Sequence, residues 1–216
     1  SPPRMRTQSA LCLVALLAAT PIGAQSQLTP ADSARHALNR LGYGPTPGQV
    51  EAVIQEGILR WVDRQLAVRD LRDPALDAWE RPYEVLRTPM SAMVAMHTDQ
   101  VAKALKAQAQ GADSATLRAL QAQKRQADGG GKRDLRELLG ELQSVTLVRA
   151  VVSDRQLAEV LADFWLNHFN VYIAKGFDRA YFADYLERTI RGHALGRFEE
   201  LLVATATSPA MLFYLD

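Results

Sequence analysis

The sequence has a single cysteine, Cys12, which lies near the amino terminus of the 216-residue chain. One thiol cannot form an intramolecular disulfide, and it does not supply a cysteine-based metal site. The fold must therefore be stabilised by its hydrophobic core, and hydrophobic residues make up 48% of the chain. A chain of this length forms one domain or at most two small ones.

An excess of charge of one sign is also lacking, because 25 basic residues balance 24 acidic ones. A net charge of +1 provides no overall field that would attract nucleic acid. The sequence contains no glycine-rich phosphate loop, no H-E-x-x-H and no G-x-S-x-G. Its four histidines are far apart, so we predict no metal site and assign no cofactor.

Residues 1–24 have the pattern of a signal peptide. Met5 is the predicted start, Arg6 supplies positive charge, and an apolar run at 10–19 precedes a cleavage site after Ala24. This run is too short to span a membrane. We therefore expect export to the periplasm or the cell exterior, with removal of Cys12 and no transmembrane segment left after cleavage.

Strand-like alternation is almost absent, and the rest of the chain is dominated by helix signals. Thr29-Pro30 and Thr46-Pro47 begin short helices, and a third follows Gly57 with Ile58, Leu59, Val62 and Leu66 on its apolar side. Residues 69–90 are predicted to be irregular and held to the helices by Trp79, Tyr83, Val85 and Leu86. Residues 91–131 are rich in alanine and glutamine, which predicts an insertion of two exposed helices with a solvated basic surface.

The most ordered pattern lies at residues 153–173. Ser153 and Gln156 match a capping box, in which each side chain bonds an amide at the helix start. The apolar side is then formed by Leu157, Val160, Leu161, Phe164 and His168. His168 is either a core histidine bonded to neighbouring polar groups or a ligand or general base in a pocket; the pattern favours the core. Asn167 is expected to be partly buried and to bond a loop or helix end.

Further helices are predicted on both sides of this segment. Residues 135–152 are strongly apolar and should pack antiparallel to the next helix through a short connection. Helices at 177–190 and 195–206 follow, the latter with Phe198, Leu201, Leu202 and Ala206 inward, and Ser208-Pro209 begins a last one. The predicted fold is an all-α, multi-helix orthogonal or antiparallel bundle with a long exposed helical arm. Residues 25–216 are interpreted as the N-terminal part of one helical domain that continues beyond Asp216.

Four segments, 35–50, 58–66, 147–171 and 190–216, resemble an exported bacterial family known as domain of unknown function 1800. The most specific match is FW-x-NHF, formed in this chain by Phe164, Trp165, Asn167, His168 and Phe169. The resemblance implies a mostly helical, exported protein that is longer than this chain. It implies no reaction, substrate or cofactor, and the insertion at 91–131 departs from the family's more compact spacing.

Two functions remain open from the sequence. The first is a non-catalytic binding or scaffold module in the cell envelope, whose partner is an envelope protein or a surface polymer. The second is a hydrolase-type enzyme with a site completed by a further C-terminal half. His168 and Asn167 would serve it, and Arg40 and His193 are added because they lie in family-like segments. The absence of a complete catalytic constellation favours the binding module.

Overall fold

The structure, a computed structural model, describes residues 28–68, 71–109, 115, 118–119 and 134–216. The predicted signal peptide therefore lies outside the described residues. All regular secondary structure in these ranges is helical, which confirms the predicted all-α class. No helix in these ranges is long and apolar enough to cross a membrane.

The helical elements of the described ranges follow one another along the chain without any intervening strand. They are α1 (Pro30–Leu41), α2 (Gln49–Glu56), α3 (Ile58–Leu66), α4 (Pro74–Glu80), a 3₁₀ turn (Glu84–Leu86), α5 (Met90–Ala109), α6 (Leu135–Val152), α7 (Gln156–His168), α8 (Asp178–Asp184), a π-helical segment (Tyr185–Ile190), α9 (Arg191–His193), α10 (Phe198–Ala206) and α11 (Pro209–Leu215).

Helices α1, α2 and α3 pack around a small core. Thr29 caps α1 by accepting a hydrogen bond from the Asp32 amide, as its sequence predicts. The apolar side predicted for α3 is correct only in part, because Ile58 and Val62 pack against this core but Leu59 and Leu66 are exposed. Trp61 and Gln65 are buried in their place. Gln65 tolerates burial because its amide donates to the Asp154 carbonyl at 2.8 Å, and its Oε1 accepts from the Leu157 amide at 3.2 Å.

Residues 69–90 are more regular than predicted, since they contain α4 and the 3₁₀ turn. Asp73 caps α4 through the Leu76 amide and also accepts hydrogen bonds from the Ser153 hydroxyl and the Asp154 amide. This buried carboxylate thereby joins α4 to the start of α7. Val85 is buried as expected, whereas Trp79 is exposed and does not anchor the segment.

The first half of α5 belongs to the core, which corrects its assignment to an exposed arm. Met93 and His97 are buried, and α5 packs along α8. Beyond residue 100 the helix is largely exposed. The second predicted arm helix and the glycines at 129–131 lie essentially outside the described residues. The core that includes Met93 is completed by α6, through Leu135, Leu138, Leu142 and Val145.

A third core joins the end of α7 to α10, α11 and the π-helical segment. It contains Val171, Tyr185, Ile190, Leu201 and Ala210. Burial raises the pKa of Tyr185 to about 12, and its hydroxyl donates to the Phe169 carbonyl at 2.6 Å. The inward side predicted for α10 is rotated: Leu201 and Thr205 are buried, whereas Phe198, Leu202 and Ala206 are exposed.

Candidate functional site: the aromatic–histidine surface

Helix α7 is oriented by polar residues on its buried side. Gln156, Leu157, Glu159 and Ala162 are buried, whereas Phe164 and His168 are exposed. The predicted core position of His168 is therefore wrong. The helix is rotated because Gln156 and Glu159 have partners in other parts of the chain that compensate for their burial.

Gln156 does not complete the predicted capping box at the start of α7. Its Oε1 accepts a hydrogen bond from the Tyr43 amide at 3.1 Å, and its Nε2 donates to the Ser153 carbonyl at 2.8 Å. The Ser153 hydroxyl accepts from the Arg155 amide at 3.0 Å. Gln156 thus fastens α7 to the turn after α1, a contact between residues far apart in the sequence.

Glu159 is held by a bidentate ion pair with Arg191. The two guanidinium nitrogens donate to the two carboxylate oxygens at 2.6 and 2.7 Å. The network continues through Glu187 to Arg149, whose Nη1 lies 2.6 Å from the Glu187 carboxylate. Arg149 also pairs with Glu80. These charge-assisted bonds connect α4, α6, α7 and the π-helical segment, and they fix the orientation of α7.

The opposite side of α7 presents a group of aromatic rings around His168. We call this group the aromatic–histidine surface: Phe164, Trp165, His168, Phe169 and Phe198. The His168 ring lies edge-on to Phe169 with centroids 4.7 Å apart, and 5.7 Å from Trp165. Phe164 stacks on His168 at 6.2 Å. Phe198 of α10 joins the group through Trp165 at 5.7 Å.

Several of these rings are open to solvent although they are large and apolar. Phe164 is 53% exposed and Phe198 is 54% exposed, and His168 is exposed beside them. Trp165 is half-buried and anchored, because its indole Nε1 donates to the Ala194 carbonyl at 3.1 Å. The group is therefore an aromatic platform that is anchored through Trp165 and whose outer rings face water. Contiguous exposed apolar surface of this kind marks interaction sites.

His168 makes ring contacts but no hydrogen bond or ion pair with any residue that the structure describes. Asn167 is exposed and donates to the Asp163 carbonyl of its own helix at 2.8 Å, so its predicted bond to a loop or helix end is wrong. Across residues 28–68, 71–109 and 134–216, no group of three or more His, Cys, Asp or Glu side chains is arranged to hold a metal ion.

The remaining candidates are not joined to His168. Arg40 lies exposed in the last turn of α1. The Nδ1 atom of His193 lies 2.8 Å from the Thr189 carbonyl. Within the described part of the chain, no hydrogen bond or ion pair links His168 to either residue. The four candidates therefore form no connected catalytic group in these ranges.

No curated protein and no solved structure matches this chain. The family model described as protein of unknown function (DUF1800) matches residues 36–216, and the chain therefore belongs to this family, as the resemblance predicted.

Proposed function

We propose that this protein is a binding module of the cell envelope and that the aromatic–histidine surface contacts its partner. The observation that carries the proposal is the exposure of Phe164, His168 and Phe198 on one platform. Aromatic residues that are rigidly held and solvent-exposed dominate binding energy at protein interfaces. The pattern of residues 1–24 supports export, which would bring this surface into contact with envelope components.

The neighbouring residues favour a protein partner over a surface polymer. Leu202 lies one turn after Phe198 on α10 and is also exposed, so the apolar surface extends beyond the rings. Charged residues border it, among them the exposed pair Arg197 and Glu199, whose side chains meet at 3.2 Å. An apolar centre with a charged border is the arrangement found at protein–protein interfaces. We therefore propose an envelope protein with complementary apolar side chains.

Site-specific photo-crosslinking in the cells that produce the protein tests this proposal. A photo-reactive phenylalanine analogue replaces Phe198 in the full-length protein, and the adducts are identified by mass spectrometry. The matched control carries the same analogue at Leu59, which is 79% exposed on α3. We expect one envelope protein to be captured at position 198 but not at position 59.

The interaction is then measured with the purified partner. Phe164→Ala should weaken binding by about 2 kcal/mol or more, the usual effect of removing an aromatic hot spot. Because Phe164 is exposed, this substitution should leave the melting temperature nearly unchanged. Identical adducts at positions 198 and 59, or crosslinks to polysaccharide alone, would contradict the proposal.

A hydrolase remains the second candidate, because the His168 imidazole is exposed and has no hydrogen-bond partner among the described residues. Such a ring is available to accept a proton from a substrate or water. The full-length protein is assayed on ester, amide and glycoside substrates beside His168→Gln and His193→Gln. Hydrolysis abolished only by His168→Gln would favour the enzyme.

A further inference from the structure

A second surface feature lies apart from the aromatic–histidine surface, where α6 faces the segment between α7 and α8. It is an open cleft of about 510 Å³. Its lining includes Arg136, Leu139, Gly140 and Gln143 of α6, with Ile173 and Arg179 opposite. Clefts of this size hold small molecules.

The charge of the cleft is positive and not neutralised by the described residues. Neither Arg136 nor Arg179 forms an ion pair with any carboxylate in residues 28–68, 71–109 or 134–216, and no carboxylate from these ranges belongs to the lining. By contrast, Arg149 and Arg191 elsewhere in the fold are each paired with glutamates. The cleft therefore presents guanidinium groups that are free to bind an anion.

Asp178, the residue before Arg179, does not cancel this charge. Both of its carboxylate oxygens are buried and have no hydrogen-bond partner within the described part of the chain. Its side chain is therefore enclosed in the protein, whereas Arg179 lines the cleft. The two neighbouring residues are directed to different environments.

The remaining lining gives the cleft an open floor and an apolar wall. A Cβ atom added at Gly140 would meet no heavy atom within 4 Å, so the helix surface at this position is open. Arg136, Gly140 and Gln143 recur at four- and three-residue spacing and share one side of α6. Leu139 and Ile173 are half-buried and contribute apolar surface. Gln143 adds an amide that can donate a hydrogen bond.

We propose that this cleft binds a small molecule that carries a phosphate group on an apolar body. A phosphate monoester has a charge of about −1.5 to −2 at pH 7, which matches two guanidinium groups. Arginine donates parallel hydrogen bonds to phosphate oxygens, and the Gln143 amide can donate another. The apolar body would lie against Leu139 and Ile173. This site is independent of the proposed protein-binding surface.

Isothermal titration calorimetry of the purified full-length protein tests the proposal with phenyl phosphate, inorganic phosphate and benzoate. We expect phenyl phosphate to bind most tightly, because it alone combines the dianion with an apolar body. Arg136→Gln and Arg179→Gln should each weaken its affinity at least tenfold. Arg60→Gln, which removes an exposed arginine on α3 outside the cleft, should leave the affinity unchanged.

Gly140→Leu provides a test that keeps every charge. Its side chain would project from the open floor and occupy the cleft, so phenyl phosphate should bind at least tenfold more weakly while the circular dichroism spectrum stays the same. Absence of phenyl phosphate binding to the wild-type protein would overturn the proposal. Equal affinity for benzoate would refute the phosphate assignment, and equal loss in Arg60→Gln would refute the location.

Discussion

Replacing Asp178 by asparagine should change how the stability of this protein depends on pH. Asp178 is 0% exposed, and neither of its carboxylate oxygens has a hydrogen-bond partner among the described residues. Burial raises the pKa of this carboxyl above its ordinary value of 3.8, and the positive charge of Lys175 only partly opposes the effect. Asparagine has the same shape but does not ionise.

The direction of the effect follows from proton linkage. Between the ordinary pKa of 3.8 and the raised pKa of the folded state, the folded protein holds a proton on Asp178 that the unfolded chain has lost. The stability of the wild-type protein therefore falls as pH rises through this window, by up to about 1.4 kcal/mol per pH unit. An unsatisfied buried polar group costs about 1–3 kcal/mol, which sets the scale of the total loss. Asp178→Asn does not lose stability in this way as pH rises, because its side chain does not ionise.

Urea unfolding between pH 4 and pH 8 measures the difference in free energy of unfolding between the variant and the wild-type protein. We expect this difference to shift in favour of Asp178→Asn as pH rises. Asp77→Asn is the matched control, because Asp77 also lies in the first turn of a seven-residue helix but is exposed. The difference in free energy of unfolding between Asp77→Asn and the wild-type protein should not shift in favour of the variant as pH rises. A pH-independent difference for Asp178→Asn, or a shift in favour of the wild-type protein, would refute the argument.

Further substitutions should change the free energy of unfolding in urea. Arg149→Met should cost about 3–5 kcal/mol, because it leaves the partly buried carboxylates of Glu80 and Glu187 without their cation. Gln65→Leu should cost about 1–3 kcal/mol, because it leaves a backbone carbonyl and a backbone amide near the start of α7 unpaired. Gly140→Ala should stabilise α6 by about 0.5–1 kcal/mol, since the added methyl meets no neighbour and alanine favours the helix. If Gly140→Ala leaves the free energy of unfolding unchanged or lowers it, the stabilisation argued for α6 is wrong. If Arg149→Met or Gln65→Leu lowers it by less than about 0.5 kcal/mol, the cost argued for that residue is wrong.

Structural features that depend only on residues close together in the sequence could be predicted from it. The Thr29 cap of α1 and the Ser208 cap of α11 form as predicted, because a cap needs only a side chain and an amide three residues away. In the first part of α6, Leu135, Leu138, Leu142 and Val145 face the core as their spacing indicates. Near the end of the helix Leu147 and Val151 are exposed instead. Local chemistry therefore defined the all-helical class and the starts of α1 and α11.

The orientation of the helices was harder to predict, because it depends on distant partners. Gln65 and Gln156 are polar, so hydrophobic spacing assigns them to the surface, yet both are buried. Gln156 bonds Tyr43, 113 residues away, and no local pattern indicates that contact. His168 was wrongly predicted to lie in the core for the same reason, because distant partners of α7 decide which side of the helix is buried. Its place in a helix was predicted correctly, but the side of α7 on which it lies was not.

The energies at α7 explain why its aromatic side faces water. Rotating the helix to bury Phe164 would gain about 1.5–3 kcal/mol, the value of burying one large apolar side chain. The rotation would separate Glu159 from Arg191, and breaking a buried ion pair costs about 3–5 kcal/mol. It would also leave Gln156 without the Tyr43 amide. The ion pair therefore outweighs the hydrophobic gain, and Phe164 and His168 remain exposed.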